Sequence, residues 1–125
     1  MTRIELKDGN IISYQMVRGF SIWFIEFEIM TIGNVTALFL GFDDLKRLIT
    51  TLYETYKNAY VEELFTHKER NISLMNYDIS LIPWVLHIND VRVRMKSNDF
   101  VVDLTKYESK DMILDLSLLY KNKSV

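Results

Sequence analysis

Hydrophobic and polar residues alternate with a period of two over most of the first third of the chain, and this spacing predicts β-strands. The segment "KDGN", residues 7–10, separates two such runs and is typical of a hairpin turn. A three-residue loop places Gly9 at the left-handed position that such a turn needs, and it pairs Ile4 with Ile12. The segment "TIGN", residues 31–34, closes a later hairpin, and "VTALFLGF" follows as a fourth strand. We therefore expect an antiparallel meander at the start of the chain.

The most hydrophobic stretch, "GFSIWFIEFEIM", occupies residues 19–30. It is about half the length that a membrane helix needs, and two glutamates interrupt it, so we expect no membrane segment. A two-residue turn at Arg18-Gly19 would set Tyr14 opposite Trp23 in the preceding strand. The stretch is then the central strand of the meander. Its core side is expected to carry Trp23, Ile25, Phe27 and Ile29.

The spacing changes to that of a helix after Phe42. Asp43 and Asp44 precede an apolar periodic run and are read as the N-terminal cap. The apolar side of the run consists of Leu45, Leu48, Ile49, Leu52, Tyr56, Ala59 and Tyr60. This pattern predicts one long amphipathic helix, about residues 43–65, lying across one face of the sheet.

A period of two returns after the polar segment "HKERN", residues 67–71. Trp84 is expected on the inner face, and Asn89-Asp90 is expected to form a turn. Two-residue loops then place Arg92 opposite Asp103, and opposite charges across neighbouring strands support that register. The pattern predicts a three-stranded unit with an outward basic row, Arg92, Arg94 and Lys96.

The C-terminal segment from Met112 to Tyr120 fits two structures. Its leucines favour a helix, whereas the alternation in "LDLSL" favours a strand, and we prefer the strand. The expected fold is therefore α+β, with antiparallel sheet(s) of about eight strands in two meanders, separated by one long helix. Residues 1–125 carry no linker or low-complexity run and are expected to form a single compact domain.

Composition and charge exclude several classes of protein. The net charge of −2 gives no electrostatic footprint for nucleic acid or anionic lipid. The chain has no cysteine, which excludes disulfides and thiolate chemistry. Its N-terminus has no apolar signal region. We expect a cytoplasmic protein.

No stretch carries a recognised catalytic motif. His67 and His87 do not have the spacing of metal ligands, and no glycine-rich loop is available to hold a phosphate. Glu26 and Glu28 share one face of a strand at about 7 Å, and this separation would suit two carboxylates that act as an acid–base pair. A solvated or ion-paired face is the plainer interpretation, so we expect no catalytic, metal or cofactor site and a protein that is not an enzyme.

The reverse side of the central strand is the surface most suited to a partner. Phe20, Ile22 and Phe24 lie there beside Glu26 and Glu28, and an apolar centre rimmed by charge is the anatomy of an interface. Three alternatives remain for what packs on this side of the strand: the C-terminal segment, a second sheet, or another protein chain. The leading hypothesis is a small inhibitor, such as an immunity or anti-defence protein of a phage or bacterium, that blocks a partner protein. Its expected contacts are Phe20, Ile22, Phe24, Glu26, Glu28, Arg92 and Arg94.

Three alternatives carry different expectations. A homodimer would bury the apolar patch between two copies. A small hydrolase-like enzyme would unite Glu26 and Glu28 with His87. A nucleic-acid binder would hold phosphates with Arg92 and Arg94, although the facing aspartates partly neutralise this row and disfavour nucleic acid as a partner.

Overall fold

The computed structural model describes residues 1–19, 22–62 and 66–122. Within these residues the chain forms two antiparallel four-stranded sheets and two helices, which confirms the predicted α+β class with eight strands. Each sheet is a meander whose strands lie in chain order. The first half comprises β1 (Thr2–Glu5), β2 (Ile11–Arg18), β3 (Trp23–Thr31), β4 (Asn34–Leu40) and the helix α1 (Phe42–Tyr60). The second half comprises β5 (Arg70–Ser73), β6 (Asp78–His87), β7 (Asp90–Lys96), β8 (Val101–Leu104) and the helix α2 (Lys106–Lys121).

The first and third hairpins form as their turn residues predict. Ile4 is paired with Ile12 in the β1–β2 ladder. Gly9 has φ +93° and Gly33 has φ +75°, and glycine adopts this left-handed conformation without a Cβ clash. The residues of "TIGN" join β3 to β4, with Thr31 paired to Asn34. Local turn chemistry therefore determines both registers.

The second hairpin differs from the prediction by four residues. Arg18 does not occupy a two-residue turn but pairs with Trp23, and Tyr14 lies opposite Phe27. Because Arg18 lies in the strand, it does not need the left-handed conformation that a primed turn requires. The observed register also allows the rings of Tyr14 and Phe27 to stack, with 4.9 Å between their centroids. A shift by an even number keeps each side chain on its predicted face, so Ile25, Phe27 and Ile29 are buried. Trp23, at the strand end, is 38% exposed and is not a core residue.

The helix α1 begins at Phe42 after Gly41, which is its N-cap. Asp43 and Asp44 are therefore not the cap, but they lie in the first turn, where a carboxylate interacts favourably with the helix dipole. The helix ends at Tyr60, earlier than predicted, and residues 63–65 of the predicted helix lie outside the described residues. The core side of the helix buries Leu45, Leu48 and Leu52, as its spacing predicts.

The second sheet contains a strand that the sequence pattern did not reveal. β5 begins within the polar segment and pairs with β6, and it replaces the expected C-terminal strand in the total of eight. The β6–β7 turn falls at residues 88–89, with Asn89 at φ 64°, and a bulge lies between Val85 and His87. The bulge changes which side of β6 is buried. Trp84 consequently lies opposite Arg92 on the outer face, and its predicted place in the core is wrong.

The C-terminal segment is a helix, so the predicted strand over Met112–Tyr120 is wrong. Thr105 accepts a hydrogen bond from the Glu108 N–H, and the Glu108 carboxylate accepts one from the Thr105 N–H. This reciprocal capping box fixes the start of α2. Met112 and Leu116, four residues apart, are both fully buried. Helical spacing thus accounts for the core contacts of this segment better than alternation does.

Each helix packs against the strands of the other half. In α1, Arg47 donates to the Ser73 carbonyl of β5 at 2.6 Å, and Tyr60 donates its hydroxyl proton to the Val91 carbonyl of β7 at 2.7 Å. In α2, Asp115 accepts a hydrogen bond from the Tyr14 hydroxyl of β2. The buried faces of both sheets and both helices share one hydrophobic cluster. The two halves therefore interlock.

Side chains in two turns hold the edge strands of the opposite halves. In the β5–β6 turn, the amide of Asn76 accepts from the Phe39 N–H at 3.0 Å and donates to the Ala37 carbonyl at 3.1 Å. In the β1–β2 turn, Asp8 accepts from the Asp103 N–H of β8 at 2.8 Å. Each turn lies between the first two strands of its half and binds the fourth strand of the other. This reciprocity matches the repeated order of elements in the two halves.

Candidate protein-binding face

The outer surface of the first sheet is the face opposite the core. Side chains of β3 alternate, so Ile25, Phe27 and Ile29 are buried while the residues between them point outward. We call this surface the open face. It is formed by Arg3, Glu5, Ile11, Ser13, Gln15, Val17, Phe24, Glu26, Glu28, Met30, Val35, Ala37 and Phe39.

The open face has apolar ends and an acidic centre. At one end Phe24 pairs with Val17, and its ring meets the Phe39 ring edge-on at 5.9 Å between centroids. At the other end Met30 pairs with Val35, whose side chain is 62% exposed. The strand register therefore separates two apolar patches by a polar band across the middle of the sheet.

Glu26 and Glu28 lie in that band, on neighbouring outward positions of β3. Glu26 is paired with Gln15 and Phe39 across the sheet, and Glu28 with Ser13 and Ala37. Neither carboxylate forms an ion pair with any residue of the described ranges. Arg3 of β1 lies in the same cross-strand row as Glu28, next to Ser13. Two carboxylates without an ion pair in the described ranges still favour contact with a cationic group.

The predicted apolar contacts lie at the Phe24 end of this face. Ile22, in the loop before β3, is 59% exposed. The Gly19 N–H donates to the Ile22 carbonyl at 2.7 Å, and a Cβ at Gly19 would come within 3.2 Å of the Phe24 ring. Glycine thus lets this loop approach the Phe24 ring closely. Phe20 lies outside the described residues.

The expected intramolecular covers do not occupy the open face. The C-terminal segment packs on the buried side, where Met112 and Leu116 join the core. The buried face of the second sheet contributes to the same cluster, so it is not stacked on the outer side of the first. Phe24 and Phe39 remain partly exposed and Ile22 is mainly exposed.

Arg92 and Arg94 lie on the second sheet, and the structure does not bring them to the open face. Arg94 forms two hydrogen bonds to Asp103, at 2.8 and 3.1 Å, and its guanidinium lies 4.2 Å from the Trp84 ring centroid. The predicted pairing of Arg92 with Asp103 is therefore wrong by two residues. The reason is a four-residue connection from Ser97 to Phe100 in place of a two-residue turn.

The actual partner of Arg92 is Asp90 on its own strand, through Nε at 2.7 Å and Nη2 at 3.2 Å. This hydrogen bond lowers the pKa of Asp90 and raises the pKa of Arg92. The two arginines that sequence alone suggested for a partner are thus committed to carboxylates within the chain.

The residues proposed for acid–base chemistry are also separated. Glu26 and Glu28 lie on the open face, whereas His87 ends β6 in the other sheet. His67 lies beside β6, with Nδ1 3.2 Å from the Pro83 carbonyl oxygen. Across residues 1–19, 22–62 and 66–122, no group of three metal-ligating side chains could hold a metal ion.

Neither α1 nor α2, the helices of the described residues, is long and apolar enough to cross a membrane.

No protein-family model and no curated protein matches this chain. Its function is therefore inferred from the geometry of its surfaces.

Proposed function

We propose that the chain is a small protein-binding module that blocks a partner protein with the open face. The class proposed is a steric inhibitor, such as an immunity or anti-defence protein of a bacterium or phage, acting in the cytoplasm. The observation that carries the proposal is the surface itself: two apolar patches flank two carboxylates that form no ion pair with the residues the structure describes. The proposal assigns no catalysis and no cofactor to the chain.

The charge of the face defines the partner. A binding surface would need apolar side chains to meet Phe24 and Val35, and a lysine or arginine to meet Glu26 and Glu28. Pairing both carboxylates is important, since burying an unpaired charge costs several kcal/mol, on the order of 3–5. A protein with a basic, partly apolar patch fits this chemistry, whereas a nucleic acid would be repelled by the carboxylates.

The rigidity of the face supports the same role. Its central strand is hydrogen-bonded on both sides, and three of its inner side chains, Ile25, Phe27 and Ile29, are at most 1% exposed. A preformed surface loses little conformational entropy on binding, which favours affinity. Blockade requires only that such a surface occupy the partner's functional site.

The test is affinity capture from the native host with paired surface variants. Phe24→Asp with Glu26→Arg should abolish capture of the partner, because it breaks both the apolar patch and the charge match. The matched control, Val101→Asp with Asp78→Arg, makes the same kinds of change on exposed positions of the second sheet. Capture that survives the first pair, or that is lost equally with the control pair, overturns the proposal.

A second candidate is a homodimer through the same face, favoured by the exposed Ile22 and Val35. A two-fold axis through the centre of the face would, however, set Glu26 and Glu28 against the same residues of the other copy. This repulsion favours a different partner. Light scattering after size-exclusion chromatography distinguishes the two, since a mass that stays monomeric with concentration excludes the homodimer.

A further inference from the structure

The strand β1 forms one edge of the first sheet, and part of its backbone has no partner. Leu6 uses its backbone on the β2 side, with bonds to Asn10 and Gly9 at 2.8 and 3.0 Å. Bonded and outward positions alternate along an antiparallel edge, so the N–H and C=O groups of Arg3 and Glu5 point away from β2. Both residues are exposed, and their outward groups form no hydrogen bond within the described residues.

Side chains bind the other three edges of the two sheets. Asn76 holds the edge of β4, and Asp8 accepts from the Asp103 N–H at the edge of β8. Arg47 of α1 donates to the Ser73 carbonyl at the edge of β5. Within residues 1–19, 22–62 and 66–122, β1 is the edge that receives no such side chain on its outward groups. An open edge of this kind is a template for pairing with another strand.

A groove of about 370 Å³ lies between this edge and α2. Its apolar lining includes Ile4 of β1 and two leucines of α2, Leu114 and Leu118, each 57% exposed. Two aspartates of α2 also line it. Asp115 accepts a hydrogen bond from β2, whereas Asp111 is exposed and forms no ion pair in the described part of the chain. A strand laid along β1 would therefore place alternate side chains in an apolar groove that contains a carboxylate without an ion pair.

The corresponding groove of the second half is closed by charged side chains. β5 lies beside α1 as β1 lies beside α2. The space between β5 and α1 is bridged by Arg47, which binds the Ser73 carbonyl, and by Arg70, which binds Glu54 at 3.2 Å. Arg47 is the sixth residue of α1, and Asp111 is the sixth residue of α2. An ionised carboxylate has no proton to donate to a backbone carbonyl, so Asp111 leaves the β1 edge open.

We propose that this groove binds an extended segment of another protein, which adds a strand to the first sheet at β1. The backbone of the segment pairs with Arg3 and Glu5, and its alternate side chains enter the groove. The groove side of the segment carries a lysine or arginine against Asp111 and an apolar residue against Leu114 and Leu118. The site uses backbone groups at the sheet edge and the groove beside them, so it stands independently of the blockade by the open face.

A second copy of the chain fits this groove less well than a basic segment does. Pairing two β1 strands would bring the uncharged side chains of Thr2 and Ile4 to the groove side of the added strand. A two-fold axis between the strands would also bring the two copies of Asp111 towards each other. Each Asp111 would then meet a carboxylate and not a cation, so the charge of the groove favours a different protein.

The test begins with a displayed library of random peptides that is selected on the immobilised intact chain. Enriched peptides should carry a basic and an apolar residue at alternate positions, the spacing of one face of a strand. A synthetic peptide of this type should slow the hydrogen exchange of the Arg3 and Glu5 amides, measured by NMR. The proposal is overturned if no peptide is enriched or if these amides stay unprotected. Protection that rises with protein concentration without peptide assigns the edge to a second copy and also overturns it.

N-methylated versions of the peptide test the backbone pairing directly. Peptide residues opposite Arg3 and Glu5 exchange N–H and C=O bonds with them, whereas groove-facing residues point their N–H groups away from β1. Methylating an amide of the first kind should weaken binding about tenfold or more, because it removes a hydrogen bond and adds a clash. Methylating an amide of the second kind should change the affinity little. Equal effects of the two methylations contradict strand addition.

Charge reversal in the groove tests the chemistry of the segment. Asp111→Lys should weaken binding of the basic peptide about tenfold, because it replaces an attraction with a repulsion. The control, Asp78→Lys, makes the same change at an exposed position of β6 outside the groove and should leave the affinity unchanged. A peptide with glutamate in place of its basic residue should bind Asp111→Lys better than it binds the original chain. An equal loss in both variants, or no gain for the glutamate peptide, overturns the proposal.

Discussion

Asn76 gives the clearest test of how the two halves hold each other. Its side-chain amide acts like the peptide of an added strand, since it accepts from the Phe39 N–H and donates to the Ala37 carbonyl at the edge of β4. Replacing Asn76 with Ala removes both hydrogen bonds. The backbone of Asn76 does not have a positive φ, so alanine introduces no strain there.

The expected loss in the free energy of unfolding follows from these two hydrogen bonds. A net contribution of about 0.5–1.5 kcal/mol per hydrogen bond, reduced by the exposure of this edge, gives about 1–2 kcal/mol for Asn76→Ala. A chain of 125 residues has an unfolding entropy of about 2.1 cal/mol/K per residue, so the Tm should fall by roughly 4–8 °C. Asn76→Asp should cost at least as much, because a carboxylate oxygen would then face the Ala37 carbonyl.

Urea unfolding followed by circular dichroism measures the change in the free energy of unfolding. Met75→Ala is the matched control, since Met75 lies in the same turn and is 62% exposed. It should change stability by less than about 0.5 kcal/mol. The bracing role of Asn76 is refuted if Asn76→Ala and Asn76→Asp are both as mild as the control.

Three further changes test the core, a turn and a buried hydroxyl. Leu48→Ala should destabilise the fold by about 2–5 kcal/mol in urea unfolding, whereas Leu118→Ala, at a position 57% exposed, should cost little. Gly33→Ala should cost about 1–2 kcal/mol because φ is +75°, and a neutral result would contradict that conformation. Burial and the hydrogen bond to Asp115 raise the pKa of Tyr14 above its usual 10.0, so the unfolded chain loses this proton first. The free energy of unfolding should therefore fall as the pH rises past about 10, and this group contributes up to about 1.4 kcal/mol per pH unit. Tyr14→Phe should reduce that slope. The control Tyr107→Phe, at a position that is 78% exposed, should not reduce it.

Alternation identifies faces more reliably than registers, and β3 shows why. The observed register differs from the predicted one by four residues, so Tyr14 lies opposite Phe27 and not opposite Trp23. Every side chain nevertheless stays on its predicted face. The pattern of apolar and polar positions is unchanged by such an even shift, so it could not distinguish the two pairings. The open face was therefore predictable, whereas its neighbours across the sheet were not.

A β-bulge or a helix cap makes the structure differ from the predicted one more than an even register shift does. The bulge between Val85 and His87 reversed the face of Trp84, and alternation alone does not reveal a bulge. The helix α2, by contrast, carried a readable signal: Thr105 stands three residues before Glu108, the spacing of a capping box.

The interlocked arrangement makes a prediction about fragments of the chain. Helix α1 forms hydrogen bonds to β5 and β7, and Asp115 of α2 accepts one from Tyr14 of β2. A cut after residue 62 therefore separates each helix from strands that it contacts. Residues 1–62 alone would leave the buried side of Tyr14 without α2 and one side of α1 without the second sheet. We expect neither 1–62 nor 63–125 to unfold cooperatively when heated alone, although an equimolar mixture should recover a cooperative transition. Circular dichroism melts of the two fragments and of their mixture measure this, with the intact chain as reference. A cooperative melt of either fragment alone would mean that each meander and its own helix suffice, and that the contacts between the halves only join two independently stable units.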